Sequence, residues 1–151
     1  MTSLKDQTVL VIGRGGGLAR AIALAAQHAG AQVIAAGRDR EALAAAYAGE
    51  PGISTETVDL TDEPSIAALG ERLGPLDYVV STASARARGR VADLDRNAIR
   101  LSFDTKVIGP LMLAKHLAPR MTKGGSFVLF ALTSTFLTGQ TLHIDGGEPL
   151  T

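Results

Sequence analysis

The chain contains no cysteine. That excludes a disulfide scaffold, a thiolate zinc site, an iron–sulfur cluster and a cysteine nucleophile. It contains no tryptophan, and aromatic residues make up only 4%. Glycine, at 17 residues, and alanine take their place, which suits close helix–sheet packing better than a β-sandwich. No excess of either charge exists: 15 Lys plus Arg face 15 Asp plus Glu. A nucleic-acid binder usually shows a basic excess, so that class of partner is not expected. Long apolar runs are missing too. None approaches the roughly 18 residues of a membrane span, and the opening Met1 to Asp6 has no apolar signal core. What is present is 46% hydrophobic and 20% charged residues, which argues against disorder. At 151 residues the chain is the size of one domain. Such a domain can bury roughly 70% of its unfolded surface. The expectation is a single soluble, cytoplasmic domain over residues 1–151.

Thr8 to Ile12 is a short apolar run that stops at a glycine cluster, Gly13-Arg14-Gly15-Gly16-Gly17. Such runs read as strands buried on both faces of a parallel sheet. Leu18 to Ala29 reads as a helix with Leu18, Ile22 and Ala25/Ala26 on one face, and Gly30 stops it. Gln32 to Ala36 completes a βαβ unit of about thirty residues. The rhythm continues with a helix over Arg40–Ala48 and a strand over Ser54–Val58. A helix with Pro64 in its first turn follows, then a strand over Leu76–Val80. Ala83 to Arg90, with three arginines, reads as a flexible segment. Asp95 caps a long helical region to Met121, with a bend at Gly109-Pro110, and Gly125 to Phe130 is a fifth strand. Strands alternating with helices predict an α/β fold, a doubly wound three-layer sandwich on a mostly parallel sheet. Gln140 to Asp145 would make about six strands. Only about ten residues separate it from Phe130. A parallel crossover needs a dozen or more, so that connection is cramped or the last strand is antiparallel.

A glycine-rich turn between a first strand and its helix suits dinucleotide phosphates. Backbone N–H groups and the helix N-terminus face the pyrophosphate, and missing Cβ atoms permit close approach. The strict G-x-G-x-x-G form is absent; Gly13-x-x-x-Gly17-x-Ala19 stands there. The candidate cofactor residues are therefore Gly13, Arg14, Gly15, Gly16, Gly17 and Leu18. At the end of the second strand, where an acid would take the ribose hydroxyls of NAD, the chain has Arg38. Arg38 suits a 2′-phosphate bidentately, with Arg14 as a second positive charge, so NADP(H) is preferred over NAD(H). His28, His116 and His143 are scattered, and no spacing suggests a metal site. The two on helices, His28 and His116, are expected to face solvent.

These residues resemble the short-chain dehydrogenase/reductase family. Gly13/Gly17/Ala19 is similar to its T-G-x-x-x-G-x-G turn, with Ile12 replacing Thr. Asp59-Leu60 resembles the acidic position that contacts the adenine. Ser81-Thr82-Ala83-Ser84 stands where the family has N-N-A-G. Phe103 to Gly109 is similar to the helix with N-V-x-G, with Lys106 replacing the catalytic Asn. Phe136 to Gly147 resembles the family's C-terminal strand and is the most specific signal. The resemblance implies a Rossmann-like fold. It adds Asp59, Leu60, Ser81, Thr82 and Ala83 to the cofactor residues.

The resemblance has a gap after Phe130, where the family carries a catalytic Ser and Tyr-x-x-x-Lys. Tyr47 is followed four residues on by Pro51, and Tyr78 by Thr82. Ser134 has Gly147 thirteen residues on, and reads as a turn residue. Val128 to Leu132 resembles both the end of the fifth strand and a later helix, as a deletion joined near 130–132 would produce. Three readings follow. The first is an NADP(H)-binding member with impaired or no dehydrogenase activity. The second is an active reductase using substitute groups, Lys106 or Ser134 first, or a site completed by another subunit. The third is a non-catalytic interaction subunit. The gap would uncover an apolar sheet face, so a homodimer or higher oligomer is expected, with exchanged C-terminal strands as one form.

Overall fold

The computed structural model describes residues 3–129. The strands are β1 (Thr8–Ile12), β2 (Gln32–Gly37), β3 (Ile53–Thr57), β4 (Leu76–Ser81) and β5 (Met121–Leu129). All four pairings are parallel, and the sheet order is β3-β2-β1-β4-β5. Helices α1 (Gly17–His28) and α2 (Arg40–Ala46) join the strands on one side of β1. Helices α3 (Glu63–Arg72), α4 (Arg96–Phe103) and α5 (Gly109–Leu117) serve the other. The result is the expected doubly wound α/β sandwich. The sixth strand over Gln140–Asp145 and the junction at 130–132 lie outside the described residues.

The central strand shows why the fold closes. Val9 and Val11 belong to one core, with Ala19, Ala23 and Leu43 of α1 and α2. Leu10 and Ile12 belong to the other, with Ile66 and Leu69 of α3 and Leu113 of α5. Alternate side chains thus feed opposite faces, and a strand with two buried faces must be apolar throughout. Between Leu76 and Tyr78 the partner on β5 jumps from Met121 to Ser126, so the extra residues of this bulge lie on β5, around Gly124 and Gly125. In β4, Leu76 and Val79 both reach the second core.

Four expectations need correction. The buried face of α1 is Ala19, Ala23 and Ala26, with Leu18 exposed. Alanines let the helix sit close to the sheet, and the larger Leu18 is turned out. The long helix is four pieces: α4, a π-helical turn over Asp104–Ile108, α5 and a 3-10 turn over Ala118–Arg120. Pro110 has no N–H to donate to the carbonyl four residues back, so the α-helical ladder is interrupted there. β5 begins at Met121, four residues earlier than expected, because Gly124 (φ 87°) and Gly125 lie inside the strand. His116 does not simply face solvent: it is half-buried, with Nε2 2.9 Å from Glu63 Oε1.

Among the described residues, no helix is long and apolar enough to cross a membrane. The segment Ala83 to Arg90 carries no helix or strand.

Candidate functional site

The carboxyl ends of β1, β2 and β4 converge. Gly13 N donates to Ala36 O at 2.9 Å, and Thr82 N and Oγ1 donate to Ile12 O at 2.9 and 3.1 Å. Glycine is required at this junction. A Cβ on Gly13 would stand 2.6 Å from both Ala19 Cβ and Thr82 Oγ1, and one on Gly37 would strike the carbonyl oxygen of Gly13. The turn then passes through Gly15 (φ 72°) into α1 at Gly17 (φ 54°). Gly16 caps α1 without a side-chain hydrogen bond, and no acid lies in the first turn. The amides at the head of α1 and its dipole are therefore available to an anion.

A cleft opens at these strand ends. Gly13, Arg14, Arg38, Asp59, Leu60 and Ala83 all line it. Arg14 and Arg38 also line an adjoining recess with Arg40 at the start of α2. Both arginines are exposed, so their guanidinium groups are free to turn toward a ligand. Burial alone would raise the Asp59 carboxyl. Hydrogen bonds from Thr61 N (2.9 Å) and Thr61 Oγ1 (2.7 Å), and the nearby charge of Arg38, outweigh it and hold Asp59 below its ordinary range.

That depression has a sign. Its contribution to stability is complete above the ordinary carboxylate value of about 3.9 and is lost as pH falls through the lower folded value. Acid unfolding of Asp59→Asn is therefore expected to be shallower below pH ~4. Denaturant midpoints measured at several acid pH values check this, and parallel curves would refute it.

Not every expected residue reaches the cleft. Gly15 packs against Leu43 and Ala46, where an added Cβ would lie 3.0 and 3.1 Å from their side chains. Gly16, Gly17 and Leu18 are exposed at the head of α1. Ser81 is buried within the sheet, and Thr82 is turned onto Ile12. Lys106 is half-buried in the π-helical turn, one residue beyond Thr105, which does line the cleft. Ser134 and His143 lie outside the described residues. The sequence reading missed Thr61, Leu101, Thr105 and Arg40. Arg40 had a visible signal in the spacing Arg38-x-Arg40; the others line the site through position alone.

A family model described as Enoyl-(Acyl carrier protein) reductase matches residues 13–135. The 2-keto-3-deoxy-L-fuconate dehydrogenase of Xanthomonas campestris pv. campestris is 34% identical over 88% of this chain and 44% of its own length. The L-xylulose reductase of Mus musculus is 30% identical over 81% of this chain and 50% of its own. A short-chain type dehydrogenase/reductase from Mycobacterium ulcerans superimposes with a TM-score of 0.75 at 34% identity. It covers 83% of this chain and 51% of that one. This chain belongs to the short-chain dehydrogenase/reductase family. It spans about half the length of the curated relatives it matches. The family is one of oxidoreductases that bind a nicotinamide cofactor.

Proposed function

We propose that this short-chain dehydrogenase/reductase binds NADP(H) in preference to NAD(H), with its dehydrogenase/reductase activity impaired or absent. The observation that carries the cofactor reading is the cleft with Arg14 and Arg38 on its rim, reached from β1 by the glycine turn that leads to the exposed, uncapped head of α1. The amides suit a pyrophosphate, the arginines a 2′-phosphate, and Asp59 with Leu60 the adenine side. The bound cofactor supplies a hydride. A proton for the resulting alkoxide must come from a side chain, and the Tyr-x-x-x-Lys pattern is absent from the sequence. Lys106 and Ser134 are the candidate substitutes. Loss of a segment at 130–132 is part of this reading.

Calorimetric titration is expected to show micromolar NADPH binding, with NADH at least about tenfold weaker. Equal affinities, or binding of neither, would overturn the cofactor reading. NADPH oxidation over a panel of aldehydes and ketones is expected to stay at the no-enzyme blank. Turnover that disappears in Lys106→Ala would establish the active-reductase reading instead.

A second observation favours a homodimer. Ile99, Phe103, Val107 and Leu111 recur every four residues along α4, the π-helical turn and α5, and all are exposed. In a regular α-helix this spacing drifts about 40° per step; the wider π turn limits the drift and keeps the strip on one side. Contiguous exposed apolar strips usually mark an interface, and a self-complementary two-fold contact is the commonest kind. Light scattering at micromolar concentration is expected to report a dimer, and a monodisperse monomer would refute it. Exchange of C-terminal strands concerns residues outside the described ones.

A further inference from the structure

The arginine run after β4 has no part in the nucleotide reading. From Ala83 to Arg88 exposure alternates: Ala83, Ala85 and Ala87 are half-buried, whereas Ser84, Arg86 and Arg88 are exposed. A period of two is that of extended backbone, so Ser84, Arg86 and Arg88 share one edge of the segment. At about 3.3 Å per residue, Arg86 stands about 7 Å and Arg88 about 13 Å beyond Ser84. Ala83, Ser84 and Ala85 line the cleft, with Leu101 and Thr105 lining it from the α4 side, and Arg86 and Arg88 follow immediately beyond that lining. The segment is tied there, because Ser102 Oγ donates to Ala85 O at 2.9 Å.

Charge points the same way. Residues 84–106 carry six cations and three acids in a chain of zero net charge. Two of those acids are engaged: Asp93 pairs with Arg90 at 2.8 Å, and Asp95 caps α4 through Ala98 N. Among the described residues, neither Arg86 nor Arg88 has an acid at salt-bridge distance. The topology also separates this edge from Arg38. Arg38 follows β2 and Ser84 follows β4, on opposite sides of β1 and about 10 Å apart at ordinary strand spacing.

We propose that Arg86 and Arg88 form an oxyanion-recognition edge at the β4 side of the cleft. They select carbonyl compounds that carry a carboxylate or phosphate several atoms from the carbonyl. The proposal rests on the nucleotide reading, which assigns the rest of the cleft. Guanidinium forks match both oxyanions bidentately, whereas an uncharged tail of equal length gains nothing from them.

The test uses matched probes on the NADPH-saturated chain, followed by NMR chemical-shift titration. 5-Oxohexanoate is compared with 2-hexanone, and dihydroxyacetone phosphate with dihydroxyacetone. At least one anionic probe is expected to bind about tenfold or more tightly than its neutral partner. Whether one or both do so tells carboxylate from phosphate. Arg86→Gln/Arg88→Gln is expected to bring the pair within about twofold, with NADPH affinity unchanged. Equal binding of charged and neutral probes, or a preference that survives in the double variant, overturns the proposal. Failure to bind NADPH would overturn the nucleotide reading alone, because the same titrations without NADPH still decide what the arginine edge does.

Discussion

Replacing both Arg14 and Arg38 by alanine is expected to weaken NADPH binding about a hundredfold while moving NADH binding less than about threefold. A hydrogen bond to a charged group contributes roughly 1.5–3 kcal/mol in favourable settings. Both guanidinium groups are exposed on the cleft rim, so solvent and salt hold each toward the low end of that range. Two such contacts together amount to about 3 kcal/mol, which is roughly two decades in affinity. NADH has no 2′-phosphate and meets only the general positive potential of the rim. The preference for NADPH is therefore expected to shrink as ionic strength rises. Arg38→Lys is a graded probe, since lysine keeps the charge and loses the bidentate fork. Calorimetry with both nucleotides on the two variants decides the matter. Equal losses for NADPH and NADH would mean that the arginines act on the pyrophosphate or on the fold, and the assignment to a 2′-phosphate would fall.

The parts of this architecture that were legible from residues are those where chemistry restricts residue type. β1 to β4 match their expected spans to within a residue or two; for the inner strands β1 and β2 the reason is that burial on both faces leaves little choice but Val, Ile, Leu and Ala. Gly13 and Arg38 were singled out by residue chemistry and Asp59 by the family resemblance, and all three line one cleft. What was not legible depends on three-dimensional context. The α1 face follows from how near the helix sits to the sheet, which periodicity does not encode. Gly109-Pro110 announced a bend, but a π-helical turn placed before it balances Pro110's missing amide against the packing of two flanking helices. Leu101 and Thr105 line the cleft, yet neither carries a chemical signature. His116 read as a surface residue because its partner, Glu63, is 53 positions away.

The glycines of the site answer two separate demands, and two alanine substitutions are expected to pull them apart. A Cβ on Gly37 would strike the carbonyl oxygen of Gly13 and lie 3.3 Å from Leu43 Cδ1. Backbone oxygen cannot rotate away like a side-chain end, so β2 and the turn after β1 must separate. Overpacking of this kind costs about 1–3 kcal/mol, which in a domain of this size lowers Tm by roughly 3–10 °C. Gly37→Ala is expected to show that loss together with weakened NADPH binding, because the turn it displaces carries Arg14. Gly17 is different. A Cβ there meets nothing within 4 Å, and its φ of 54° is the one source of strain. That conformation costs a non-glycine residue about 1–2 kcal/mol. The open space lies at the head of α1, where a pyrophosphate must approach the backbone closely. Gly17→Ala is therefore expected to lose at least about tenfold in NADPH affinity for a smaller fall in Tm than Gly37→Ala. Thermal unfolding and calorimetry on the two variants give four numbers. If Gly17→Ala binds NADPH as the original chain does, the glycine serves the turn rather than the ligand. If Gly37→Ala unfolds at the original temperature, the convergence of β1 and β2 is looser than its contacts imply. Opposite rankings in the two measurements are what a turn shaped both by packing and by a phosphate ligand requires.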